Sequence, residues 1–143
     1  MVKVNDEGAF VEVSLVSPIP AISLKLDHKN LKVRNKIKKI LGLDVPSVES
    51  INKYRHLRLC WISNDELLLL SEGQKVDVLL KKIRKELVSI HCLVEEVTDL
   101  RAWFLQEGER AIALLRKGVP VDFSKLDLSS EGFLRSRLGE IQV

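Results

Sequence analysis

Four consecutive leucines, Leu67–Leu70, lie between the turn-forming residues Ser63-Asn64-Asp65-Glu66 and the break Glu72-Gly73. A fully apolar run that short fits a strand in the middle of a sheet better than a helix. Just upstream, His56 to Ile62 alternates, with Leu57, Leu59 and Trp61 on one face and His56, Arg58 and Cys60 on the other. The two segments predict a β-hairpin with Leu67–Leu70 returning antiparallel. Immediately downstream, Val76, Leu79, Leu80, Ile83 and Leu87 form one apolar stripe at helical spacing, and Lys81, Lys82, Arg84 and Lys85 face water. Burying that stripe requires a sheet beneath it.

The remaining elements follow the same patterning. Phe10 to Leu15 alternates, with Val11, Val13 and Leu15 opposite Glu12 and Ser14. Ser17-Pro18-Ile19-Pro20 interrupts this strand and marks a kink or an edge, because proline removes ladder donors, and Ile22 to Leu26 resumes the alternation. Asp27 is the expected cap of a helix carrying Leu31, Ile37, Ile40 and Leu41 inside and lysines outside, with Gly42 as its stop. Residues 44–50 read as a loop. Two strands are expected around His91 to Thr98 and Leu100 to Leu105, then a helix through Ala111, Ile112, Leu114 and Leu115, and a last strand from Phe133 to Val143 kinked at Gly139. Strands joined by hairpin-length links, with about three helices, define an α+β class: helices covering a mostly antiparallel sheet. Residues 1–9 are expected to be a flexible arm, and 10–143 a single domain, since 143 residues suffice for one core and not for two ordinary ones.

Charge and composition exclude more than they identify. With 23 basic and 20 acidic residues the net charge is only +3, a field too weak to imply a nucleic-acid partner. The basic helix Lys29 to Lys39 is the one local charge concentration; it lacks interleaved aromatics and reads as a solvated face. No apolar run approaches the roughly 20 residues of a membrane span, and Met1–Glu7 lacks the apolar core of a signal peptide, so the expected location is cytoplasmic. Cys60 and Cys92 sit in strand-like runs without paired spacing, and no disulfide is expected.

His28, His56 and His91 share no metal spacing, and a cluster of His91, Cys92 and Cys60 would need their strands to meet. Ser71, Ser129 and Ser130 lie in turn composition without a nucleophile elbow. Glu95 and Glu96, adjacent on a strand, point to opposite faces and cannot share a site with each other; Asp99 stands beyond them. Neither a dinucleotide fingerprint nor a phosphate-binding loop is present. The expectation is therefore no catalytic, cofactor-binding or metal-binding residue on this chain. Among large aromatics, Trp61 reads as core, while adjacent Trp103 and Phe104 must face opposite ways, leaving one of them for a second layer or a partner.

One segment remains. Leu114-Leu115-Arg116-Lys117-Gly118-Val119-Pro120-Val121-Asp122-Phe123 reads as a helix, a stop at Gly118 taken in positive φ, and an extended exit enforced by Pro120. Its Lys-Gly-x-Pro-x-Asp spacing, following Gly108 and Ala111 in a Gly-x-x-Ala turn, resembles the gamma subunit of heterotetrameric sarcosine oxidase. A second block, Trp61-Ile62-Ser63-Asn64-Asp65-Glu66-Leu67-Leu68-Leu69-Leu70, is similar to that family's Trp-Leu-Gly-Pro-Asp-Glu-Trp-Leu-Leu hairpin, and Leu134 to Val143 is similar to its late strand. Ser63-Asn64 stands in place of Gly-Pro, Leu67 in place of Trp, Glu109-Arg110 in place of Pro-Asp, and Val119 where the family often has Cys.

The resemblance runs from about Phe10 to the C-terminus, and it implies a fold similar to the folate-binding domains of glycine-cleavage aminomethyltransferases. It implies a non-catalytic structural subunit of a bacterial, cytoplasmic enzyme complex that oxidatively demethylates sarcosine to glycine and passes the one-carbon unit to tetrahydrofolate. FAD, FMN, NAD, tetrahydrofolate and zinc are then expected on the partner alpha, beta and delta subunits, none on this chain. The family continues past the position of Val143, so the chain is expected to be short at its C-terminus, with an exposed edge there and either self-association or marginal stability in isolation. The competing expectation is a stand-alone folate-binding or one-carbon module.

Overall fold

A computed structural model describes residues 11–73, 75–125 and 132–143. In chain order these form β1 (Glu12–Val16), β2 (Ala21–Leu26), α1 (Leu31–Leu41), β3 (Ile51–Tyr54), β4 (Leu57–Ser63), β5 (Glu66–Ser71), α2 (Val76–Glu86), β6 (Cys92–Glu96), β7 (Trp103–Glu107), α3 (Ala111–Gly118), β8 (Arg137–Leu138) and β9 (Ile141–Gln142). The class is α+β, with antiparallel pairing throughout the described strands. The expected arm at 1–9 lies outside the described residues. Two compact units are present: Ile19–Leu100, and the flanking segments that end at Pro18 and begin at Arg101.

The first unit is a five-stranded sheet in the order β3-β4-β5-β2-β6. Central β5 explains the leucine run: Leu69 lies opposite Ile22 on one side and Leu59 on the other, and all four leucines are buried, two toward each face. One face is covered by α1 and α2. Val33, Ile37, Ile40 and Leu41 of α1 and Leu79 and Ile83 of α2 pack with Ile22, Leu24, Leu59, Leu67 and Leu69 in one core. The helices run antiparallel and exchange caps. Lys36 Nζ donates to the carbonyl of Glu86 at 3.0 Å, and Lys82 Nζ donates to that of Ile40 at 3.0 Å, so each places a cation on the other's last turn.

Several expectations need correction here. The cap of α1 is Asn30, whose side chain accepts from the Lys32 amide, while Asp27 accepts from the Lys29 amide in the turn before it. Val33 takes the inward position and Leu31 is 70% exposed, because Leu31 is the first helical residue and precedes the stripe. Gly42 does end the helix, at φ 71. The stretch before His56 contains an additional strand, β3, which the polar sequence Ile51-Asn52-Lys53-Tyr54 concealed because an edge strand needs little apolar surface. The prolines at 18 and 20 mark neither a kink nor an edge of one strand. They separate strands of two different sheets, and β2 lies inside the larger one, between β5 and β6.

The second unit pairs β1 with β7, Leu15 opposite Phe104 and Ser14 opposite Leu105. In β1 it is Ser14, not the apolar set, that is most buried. Gln106 Nε2 donates to the Ala111 carbonyl at 2.7 Å and ties β7 to the start of α3. Unlike the other two helices, α3 has no buried residue. Gly118 is its last residue and not a left-handed stop; among the described glycines positive φ occurs at Gly42, Gly73, Gly108 and Gly139. The final segment is a tight β8–β9 hairpin turning at Gly139 (φ 60), rather than one kinked strand, since a left-handed residue reverses the chain there. The Gly139 amide donates to the Gly118 carbonyl at 3.1 Å, joining hairpin to helix.

Candidate functional site

Each residue singled out for chemistry has a local occupation. His28 is 4% exposed, and its Nε2 sits 2.8 Å from the Ser63 carbonyl, so as the Nε2–H tautomer it donates there and holds the end of β4. His91 is exposed. His56, in the turn between β3 and β4, keeps Nε2 buried without a hydrogen-bond partner. It lines a shallow cleft of about 290 Å³ with Tyr54, Arg55, Gly42, Val78 and Lys82. Cys60 on β4 and Cys92 on β6 are separated by β5 and β2, about 14 Å at ordinary strand spacing, so the structure does not bring them together with His91. Burial pushes the Cys92 thiol up, away from the thiolate a nucleophile needs. Among the described residues no three His, Cys, Asp or Glu side chains are grouped to hold a metal ion.

The carboxylates are likewise dispersed. Glu95 pairs with Arg84 at 3.2 Å, and Glu96 accepts from the Thr98 hydroxyl at 2.9 Å. Asp99 is exposed. Ser71 is buried with its hydroxyl unpartnered, on a strand and not in an elbow. Ser129 and Ser130 lie outside the described residues. In the Lys117–Asp122 segment, Asp122 turns onto Ser124, accepting from its hydroxyl at 2.5 Å and its amide at 3.1 Å, and pairs with Lys125 at 3.3 Å. The Ser124 hydroxyl, then its amide and Lys125, hold this carboxyl below its ordinary range. Asp122 thus organises the turn that follows it, and Lys117 points to solvent.

What the structure does assemble is apolar surface. Phe104 is 66% exposed, and its cross-strand partner Leu15 is 44% exposed on the same face of the β1–β7 ribbon. Trp103, one residue away, faces the other side and is part-buried with its indole N–H unpartnered. Trp61, read as core, is part-buried and packs against the main core. Leu114 on α3 and Leu138, Ile141 and Val143 around the terminal hairpin are exposed as well. Periodicity flagged the Trp103–Phe104 pair but could not rank the two, since both strand faces look apolar in sequence.

Fold and site together define a class: an α+β domain that carries exposed apolar surface on its smaller unit. No family model and no curated protein sequence matches this chain. Among solved structures, it is similar to heterotetrameric sarcosine oxidase from Corynebacterium sp. U-96 in complex with pyrrole 2-carboxylate, with a TM-score of 0.81 and 22% identity over 99% of this chain and 71% of that one. The likeness is one of fold, and it agrees with the resemblance read from the two sequence blocks.

No helix among the described residues is long and apolar enough to cross a membrane.

Proposed function

We propose that this chain is a non-catalytic structural subunit of a sarcosine oxidase-type heterotetramer, in the place of the gamma subunit. The observation that carries this reading is the exposed Leu15–Phe104 face, on a chain whose fold is that of a protein from such a complex. A two-stranded ribbon with one helix that has no fully buried residue gains little by folding alone and gains more when a second protein covers it. Its mechanism is burial of complementary surface, which holds other subunits in register. In this reading oxidation of sarcosine to glycine and transfer of the one-carbon unit to tetrahydrofolate belong to cytoplasmic alpha, beta and delta partners, which hold FAD, FMN, NAD, folate and zinc.

The test is co-expression of the tagged full chain with the three candidate partner subunits of its own source. Recovery of a stoichiometric flavin-coloured complex is expected, with no saturable binding of a tetrahydrofolate analogue by the isolated chain. Saturable folate binding without copurification would replace this reading with a stand-alone one-carbon module.

A further inference from the structure

The two helices over the main sheet hold a charge pattern that folding does not require. Strand pairing and the core leave their outer faces free, yet α1 carries Lys32, Arg34, Lys36, Lys38 and Lys39 with no acidic residue, and α2 carries Lys81, Lys82, Arg84 and Lys85 against Asp77 and Glu86. These two helices of 11 residues each therefore bear nine basic and two acidic groups, while the whole chain nets only +3. The positive charge of this protein is a property of one layer, and the remainder is net negative.

Some of these cations have structural work. Lys36 and Lys82 cap opposing helices, Lys38 pairs with Asp44 at 3.0 Å, and the Arg34 and Arg84 guanidinium groups donate to the carbonyls of Val45 and Val94. Lys32, Lys39, Lys81 and Lys85 are exposed, and their ammonium groups have no partner among the described residues. The spacing also works against the helices. Lys32–Lys36, Arg34–Lys38 and Lys81–Lys85 are like-charge i, i+4 pairs, each destabilising by roughly 0.2–0.5 kcal/mol. A face that only had to stay hydrated is served equally well by mixed signs.

We infer that the outer face of the α1–α2 pair is a docking surface for an acidic patch on a partner protein, with Lys32, Lys39, Lys81 and Lys85 as its contact cations. Charge complementarity sets the sign of the partner. Its nature follows from the neighbouring side chains: neither helix contains an aromatic residue on which a base could stack, whereas Leu31 and Val78 stand exposed beside the lysines. An acidic protein surface can bury such apolar groups between its charges, and a phosphate backbone cannot. The inference rests on the subunit reading for the identity of the partner, and adds a second contact surface on the larger unit, apart from the Leu15–Phe104 face.

The test uses the full chain and two fourfold variants of equal net charge. One replaces Lys32, Lys39, Lys81 and Lys85 by Gln; the other replaces Arg101, Arg116, Lys117 and Arg137 by Gln. Each is titrated with poly-L-glutamate and with duplex DNA at low salt. The wild type is expected to bind poly-L-glutamate more tightly than DNA, the helix variant to lose at least about tenfold, and the control variant to keep its affinity. Equal loss in both variants, or tighter binding to DNA that only the helix variant loses, overturns the inference. In the co-expression assay, full assembly of the helix variant also overturns it and leaves the subunit reading intact. Failure of the wild type to assemble sinks the subunit reading, and the polyglutamate titration still decides the surface.

Discussion

A β-carbon placed on Gly118 would lie 2.6 Å from Cδ1 of Leu138, so the last residue of α3 and the first strand of the terminal hairpin meet at van der Waals limits. The amide of Gly139 seals the same junction by donating to the Gly118 carbonyl. Glycine is therefore favoured at 118 by close approach to a leucine side chain and not by its backbone angles, which are helical. Alanine there gains up to about 1 kcal/mol of helix propensity and displaces a leucine side chain, at a cost of about 0.5–1.5 kcal/mol. Gly118→Ala alone is expected to be near neutral in urea unfolding. In a Leu138→Ala background, where the obstructing atom is gone, the same change should stabilise. Absence of coupling in that double-mutant cycle would show that the two residues do not touch in solution.

Phe104 separates assembly from stability. With two-thirds of its surface in water, Phe104→Ser removes little that the isolated chain uses, and thermal unfolding should move by less than about 0.5 kcal/mol. If a partner covers this face, the same change forfeits about 1.5–3 kcal/mol of burial, a ten- to hundredfold weaker complex. Pull-down of the co-expressed subunits at graded concentration reads the second quantity directly.

Leu69 gives the opposite behaviour. It is fully buried on the central strand, between Ile22 and Leu59 in register, with helices above it. Leu69→Ala is expected to cost about 2–5 kcal/mol, a large part of the stability of a domain this size, whereas Leu100→Ala on an exposed site should cost almost nothing. Chemical denaturation of the two variants measures the contrast.

The parts of the fold legible in the sequence were those whose patterning is enforced by burial. The Leu67–Leu70 run reads best as a central antiparallel strand, and the stripe from Val76 to Leu87 needs a sheet beneath it; both are where the structure puts them. What stayed hidden was set by long-range pairing or by geometry at one atom. Ile51–Tyr54 lies at an edge and has no periodicity to read. Gly118 carries the sequence signature of a left-handed stop, but the constraint on it comes from Leu138, 20 residues away. Phe104 and Trp103 were visible as a pair, and only strand pairing with β1 decided which one faces water. The cationic layer was half visible: α1 reads as basic by itself, and its neighbour became part of the same surface only when the two helices lay side by side.

The turn between β4 and β5 titrates in a defined sense. The Ser63 hydroxyl donates to Asp65 at 2.6 Å and is the main reason that carboxyl lies below its ordinary value, with the Asp65 backbone amide and the Lys25 ammonium adding to it. A folded-state value depressed below the unfolded one contributes stability that is fully present above the unfolded value of about 3.8 and is lost as pH falls through the folded one. Acidification should therefore loosen this hairpin turn below pH 4, and Ser63→Ala should move the loss to higher pH by letting the carboxyl titrate closer to its ordinary range. Carbon-detected NMR titration of the Asp65 carboxyl in both proteins checks the sign. An unchanged midpoint in Ser63→Ala would mean that the backbone amide and Lys25, not the hydroxyl, hold the charge.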